Sequence, residues 1–229
     1  MNLYIILLCP LAPPFPGRLY TSGLPGTQAP VQCRWSPFRH PGVFNTMETK
    51  HANPGPLGLA GFGMTTILLN IHNAGFFPVS AMIMGMGIFY GGISQVIAGI
   101  MEYRNGNTFG MLAFTSYGFF WITLVATWVL PRLGMAEATP AGYMGWFLAA
   151  WGLFSIFMTI GTLKSSKVLT FVFVTLDILF LLLAIRDWTG SVVVGRIAGW
   201  EGLVCGAAAL YLAMAEMIAE KLGSKLLPF

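Results

Sequence analysis

Charge is what this sequence has least of. Of its 229 residues only 9% are Asp, Glu, Lys or Arg, against 56% apolar. A soluble domain carries about 25% charged residues. So little polar surface excludes an ordinary cytosolic enzyme, and so much apolar surface excludes a disordered chain. No run of Lys or Arg occurs, and the net charge of +4 is only 12 basic against 8 acidic residues. A basic patch for nucleic acid is therefore excluded, and the positive excess reads as loop bias in a membrane protein. Cys9, Cys33 and Cys205 have no metal or redox spacing. Cys205 sits in an apolar run, where a cysteine serves as a small packing residue. His40, His51 and His72 are scattered, with no His-Glu-x-x-His and no Gly-x-Ser-x-Gly. Catalytic residues, metal ligands and cofactor motifs are thus all missing, and no enzyme is expected.

What is present is a series of long apolar runs. Six can be marked: 57–77, 79–103, 109–130, 142–163, 168–185 and 192–218. Each approaches the ~20 residues a helix needs to cross ~30 Å of hydrocarbon. Helices are the expected form, because lipid offers backbone groups no other partner. The first run is the weakest, with Asn70, His72 and Asn73 near its end. The connections are short and leave no room for a soluble domain between spans. An all-α, six-helix integral membrane protein is predicted. Lys50, Arg104, Lys164, Lys167, Lys221 and Lys225 fall on one side, and Arg132, Arg186 and Arg196 on the other. Six against three puts both termini in the cytoplasm. The tryptophans Trp121, Trp128, Trp146, Trp151, Trp188 and Trp200 are spread through the later spans, several near the ends expected for interface anchors.

Residues 1–46 differ from the rest, holding eight of the fourteen prolines and no acidic residue. The apolar run Leu3–Leu8 is too short to span, and no positive n-region marks a signal peptide. This stretch is expected to be a disordered extension, or the result of a start assigned too early, since Met47-Glu48-Thr49-Lys50 resembles a natural start. The transport domain is then 47–229.

Two runs carry stripes of small residues. Gly85, Gly92, Gln95, Gly99 and Glu102 follow one another at steps of 7, 3, 4 and 3. Gly195, Gly199, Gly202, Gly206, Ala209, Ala213 and Glu216 alternate steps of 4 and 3. Each stripe lines one helix face and ends in a glutamate. Close helix packing accounts for the glycines. It does not account for Gln95, whose mid-span amide needs a polar cavity or a partner helix. Asp177, about ten residues into the fifth run, is an intramembrane carboxyl. It is either a proton site or a neutral acid bonded to a neighbouring helix. Glu201 lies nearer a span end.

Asn53-Pro54-Gly55-Pro56-Leu57-Gly58-Leu59 resembles the Asn-Pro-Ala-Pro-Leu-Gly-Leu signature of the acetate uptake transporter family. Similar motifs follow in the same order: 61–66, Phe89-Tyr90-Gly91-Gly92 with Gln95, Glu102-Tyr103, 106–110, 114–118, 161–164 and 211–214. The likeness runs from Asn53 to Pro228. It implies a six-helix, channel-like protomer assembled as a homo-hexamer in the inner membrane. That assembly would move acetate, succinate or related small carboxylates, as a channel or with protons. Carried over by position, a hydrophobic ring of Phe62, Tyr117 and Leu176 narrows the path. Asn53, Gln95 and Glu102 lie along it or at its mouth, and Ala209 influences which acids fit. The residues alone allow ordinary helix packing for all three ring members. Gly55 stands where the family has alanine, Asp177 where an uncharged residue is usual, and Glu201 where an apolar one is. An aquaporin-type neutral-solute channel is the alternative. That architecture needs two Asn-Pro-Ala half-helices, and this sequence has a single Asn-Pro, ahead of the first run.

Overall fold

The structure, a computed structural model, describes residues 52–229. The expectation for residues 1–46 lies outside the described residues.

Among the described residues six helical rods follow in order: α1 (Gly55–Asn73), α2 (Ala81–Arg104), α3 (Thr108–Arg132), α4 (Ala141–Thr162), α5 (Lys167–Thr189) and α6 (Val192–Leu222). No strand occurs among the described residues. The predicted boundaries hold to within about a turn. Five rods, α2 to α6, are long and apolar enough to cross a membrane. This corrects the expectation of six apolar spans. The first run is helical, but its glycines and its polar Asn70, His72 and Asn73 dilute it. Those polar side chains are spent inside the bundle, where they line a cavity.

Helix ends are set by short polar side chains. Asn107 Oδ1 accepts from Gly110 N at 3.0 Å at the start of α3. Ser166 Oγ accepts from Leu169 N at 3.1 Å at the start of α5, and Ser191 Oγ from Val194 N at 3.3 Å at the start of α6. Each satisfies a first-turn N–H that the helix itself cannot. Gly190 and Gly223 end α5 and α6 with φ of +66° and +68°, a conformation that favours glycine.

The middle of α2 was not foreseen. Met86–Ser94 is a nine-residue π-helical stretch containing Gly87, Gly91 and Gly92. Where the wide turn returns to ordinary helix, side chains meet the backbone carbonyls. Ser94 Oγ donates to Tyr90 O, and Gln95 Nε2 donates to Gly91 O at 2.6 Å. π-turns of this kind concentrate at functional sites.

The glycine stripes bring backbones together. A Cβ on Gly63 of α1 would lie 2.7 Å from the carbonyl oxygen of Gly206 on α6, and one on Gly206 would lie 2.9 Å from the Gly63 oxygen. Between α2 and α3, a Cβ on Gly118 would lie 2.8 Å from the carbonyl oxygen of Gly92. Gly85 is the exception, with nothing within 4 Å. The large outward side chains, among them Phe89, Phe157 and Ile160, are exposed on the flank, as suits a surface facing lipid.

A methyl group at Gly63 meets backbone, which has little room to yield. Gly63→Ala is expected to cost about 1–3 kcal/mol through overpacking. Gly85→Ala is expected to be neutral or to gain up to about 1 kcal/mol from helix propensity. Melting of both variants in detergent, followed by tryptophan fluorescence, checks the contrast; equal melting temperatures would count against it.

Candidate functional site

Three rods, α1, α3 and α5, run in the same direction and leave space between them. That space is two cavities, of about 270 Å³ and 190 Å³. The N-terminal halves of these rods border the larger, here the Asn53 chamber. Their C-terminal halves border the smaller, the Arg186 chamber. Three residues line both: Phe62 of α1, Tyr117 of α3 and Leu176 of α5. Each is nearly fully buried. The Phe62 and Tyr117 rings stand 6.2 Å apart between centroids, tilted at 52°. The Tyr117 hydroxyl donates to Ser155 Oγ of α4 at 3.0 Å. Tyr117 is further held against Phe173, at 6.1 Å, and Phe154, at 5.6 Å. The partition is therefore apolar, with its one hydroxyl already donating.

The Asn53 chamber contains Asn53, Gln95 and Glu102, together with Asn107 and Glu216. Each of its side-chain amide groups gives one hydrogen bond to the protein. Asn53 Nδ2 donates to Glu216 Oε2 at 3.4 Å, while Asn53 Oδ1 accepts from Gly55 N at 2.9 Å. Asn107 Nδ2 donates to Glu102 Oε2 at 2.9 Å. Gln95 Nε2 is occupied by Gly91 O. Glu102 is buried although it closes a glycine stripe at a helix end, because Asn107 supplies its partner.

The Arg186 chamber is organised differently. Arg186 is paired with Asp187 at 2.7 Å. From it a chain of hydrogen bonds runs back along α1. Arg186 Nη1 donates to Asn73 Oδ1 at 3.3 Å, Asn73 Nδ2 to Asn70 Oδ1 at 2.9 Å, and Asn70 Nδ2 to the Thr66 carbonyl at 2.9 Å. Trp121 is buried in this wall. Reading the sequence also passed over Thr66. A threonine in a helix usually bonds the carbonyl one turn back and attracts no notice.

Two sequence candidates lie outside both chambers. Ala209 is fully buried in α6, within the same apolar core as Leu176, and lines neither cavity. Asp177, next to Leu176, is turned toward α4. There Thr159 Oγ1 donates to its Oδ2 at 2.7 Å, and it borders an open groove with Leu153, Ile156 and Leu181. Both carboxylate oxygens of Glu201 are buried without a hydrogen-bond partner among the described residues.

Comparison with known proteins agrees with this architecture. Residues 38–225 match the GPR1/FUN34/yaaH family. The chain is 56% identical over 180 residues to the succinate-acetate/proton symporter SatP of Escherichia coli K12, covering 79% of this chain and 96% of that protein. It is 34% identical over 193 residues to acetate permease A of Emericella nidulans, covering 76% and 65% respectively. Among solved structures it resembles the bacterial acetate channel SatP, with a TM-score of 0.78 and 56% identity over 79% of this chain and 99% of that one.

Asn107 both caps α3 and holds Glu102 in the chamber wall. Asn107→Ala removes both contacts, and about 1–2 kcal/mol should be lost from the cap alone. A chain of this size should then melt roughly 2–8 °C lower. Unchanged melting would mean that neither contact contributes.

Proposed function

The chain belongs to the GPR1/FUN34/yaaH family, and from that premise we propose that it carries acetate, and succinate or similar small carboxylates, across the membrane. It is a transport protein, not an enzyme. The path runs from the Asn53 chamber to the Arg186 chamber, through the partition of Phe62, Tyr117 and Leu176. One observation carries this reading: among the described residues, those three side chains alone line both cavities. They close the passage at rest, and rotation of one ring or of Leu176 joins the chambers.

The chemistry suits the cargo. Acetate is half methyl and half carboxylate. An apolar partition passes the methyl end, and a path without strong fixed cations lets the anion leave again. Conduction requires binding that is favourable but weak. Among the described residues Arg186 is the one Lys or Arg lining the chambers, and Asp187 beside it largely neutralises it. Asn53, Gln95 and Glu102 form the polar approach at the cytoplasmic side, with both termini in the cytoplasm and the protein in the inner membrane as a homo-hexamer. The loop charge bias supports that orientation. Ala209 acts on selectivity by packing behind the partition. Asp177 is the proton site, through its contact with Thr159.

Uptake of labelled acetate into proteoliposomes tests the reading: influx well above that of empty vesicles is expected, rising when an inward proton gradient is imposed. Water or glycerol permeation without acetate influx would favour the neutral-solute alternative. Leu176→Ala should widen the partition and raise uptake of bulkier acids relative to acetate severalfold. An unchanged preference would remove Leu176 from the path. Asp177→Asn should flatten the response to the proton gradient, and an unaltered gradient dependence would exclude it as the proton site.

A further inference from the structure

A third cavity, of about 530 Å³, lies beyond the Arg186 chamber. The ends of α3 and α5, the start of α4 and the loop between α3 and α4 enclose it. Arg132 and Thr139 in its wall are exposed, so it is a vestibule at the end of the bundle. Among the described residues, four line both the vestibule and the Arg186 chamber: Val79, Trp128, Met144 and Arg186. They come from the connection before α2, from α3, from α4 and from α5. Four separate elements thus surround the opening between these two cavities. Of the four side chains only that of Arg186 is charged.

Arg186 is held at three points. Its stem lies across Gly195 of α6, where a Cβ would stand 2.9 Å from Arg186 Cδ. Its Nε donates to Asp187 Oδ1 at 2.7 Å, and Nη2 lies 2.7 Å from the same oxygen. Its Nη1 donates to Asn73 Oδ1 at 3.3 Å, beyond the usual range for such a bond. Asn73 is not free to follow the guanidinium. Its own Nδ2 is committed to Asn70, and Asn70 to the Thr66 carbonyl. One long hydrogen bond therefore ties Arg186 of α5 to α1.

The pairing with Asp187 is incomplete. Guanidinium and carboxylate favour a fork, in which two N–H groups meet two oxygens. Here both N–H groups meet Oδ1, while Oδ2 is buried with no hydrogen-bond partner among the described residues. The Asp187 side chain is only 10% exposed, and a buried acceptor left unmatched is costly. We infer that Arg186 is a gate between the vestibule and the Arg186 chamber, latched shut by Asn73 and drawn open by the unmatched oxygen of Asp187. When Nη1 leaves Asn73, the guanidinium turns so that Nη2 reaches Oδ2 and the fork is completed. Asp187 lines the vestibule and not the chamber, so this movement draws the side chain out of the opening. The gate differs in kind from the apolar partition. Its charge stays paired in both positions, so it moves without baring a strong cation that would hold an anion back.

The inference rests on the path proposed above, but its test does not depend on flux. The full chain is placed in nanodiscs. Leu124→Cys sets a thiol in the Arg186 chamber, and Thr139→Cys sets one in the vestibule. The reaction of each with a charged methanethiosulfonate reagent is timed, with the native cysteines of the parent as baseline. Adding Arg186→Ala should speed the reaction at position 124 about tenfold, the factor that one hydrogen bond to a charged group represents. The rate at position 139 should not change. Asn73→Ala, which lifts the latch and keeps the arginine, should also speed the reaction at position 124. An unchanged rate there in either background overturns the gate, and if Arg186→Ala does not fold, Asn73→Ala decides. The partition is intact in every variant, so a change in rate belongs to the Arg186 opening. Acetate uptake by the same proteins in proteoliposomes separates the two readings. Faster labelling without any uptake would sink the transport reading and leave the gate standing.

Discussion

Inside hydrocarbon a polar group has no water to turn to, and every donor or acceptor that enters must find its partner in the protein. Much of the described bundle follows from that demand. Thr175 Oγ1 lies 2.9 Å from the carbonyl oxygens of both Phe171 and Val172, Thr170 Oγ1 donates to Thr162 O, and Asn70 Nδ2 to Thr66 O. Gln95 turns its amide back onto Gly91. Chains of such bonds make each rod polar only where another part of the protein, or a cavity, can receive it. The unmatched atoms stand out because so many others are matched.

The same demand ties glycine to the chambers. Small residues let α1 lie backbone to backbone on α6 at Gly63 and Gly206, and let α3 lie on α2 at Gly118 and Gly92. Contact of that kind replaces the hydrophobic drive that helices in lipid lack. It leaves neighbouring faces of α1 and α3, about 100° round each helix, to be filled with α5 by larger side chains. Phe62, Tyr117 and Leu176 fill the middle of that space, while the ends stay open as cavities. Packing and partition are thus the same contact: the three residues belong to the apolar core and also divide the chambers. The two readings that the residues alone left open for the ring are compatible.

The rods were legible in the sequence because hydropathy over about twenty residues is a strong signal, and even the polar α1 was placed to within about a turn. The π stretch at Met86–Ser94 was not legible. Its signature is a shift in hydrogen-bond register, and Gly87, Gly91 and Gly92 read equally well as packing positions. Gln95 was legible as a polar residue that needed a destination, but that destination, partly Gly91 and partly the Asn53 chamber, depends on the register shift. Composition does not separate Trp121, whose indole is turned inward, from the tryptophans at span ends. Thr66 left no trace, since nothing in a sequence distinguishes a threonine bonded to its own helix from one that is free. The ring itself came from resemblance, and periodicity would not have singled it out.

Asp177 and Glu201, where this chain departs from the family pattern, do not lie in either chamber. Asp177 neighbours Leu176 in sequence, but adjacent residues on a helix point about 100° apart, so a charge beside the partition in sequence is turned from it in space. Its carboxylate meets Thr159 on α4, and Ser155, one turn before Thr159, receives the Tyr117 hydroxyl. Thr159 Oγ1 also lies 3.0 Å from the Ser155 carbonyl. A hydroxyl has a single hydrogen to give, so Thr159 serves either the carboxylate or that carbonyl at any moment. Both acceptors lie beside the turn of α4 that holds Tyr117. The carboxyl is thus linked to Tyr117 through α4 while lying outside both chambers.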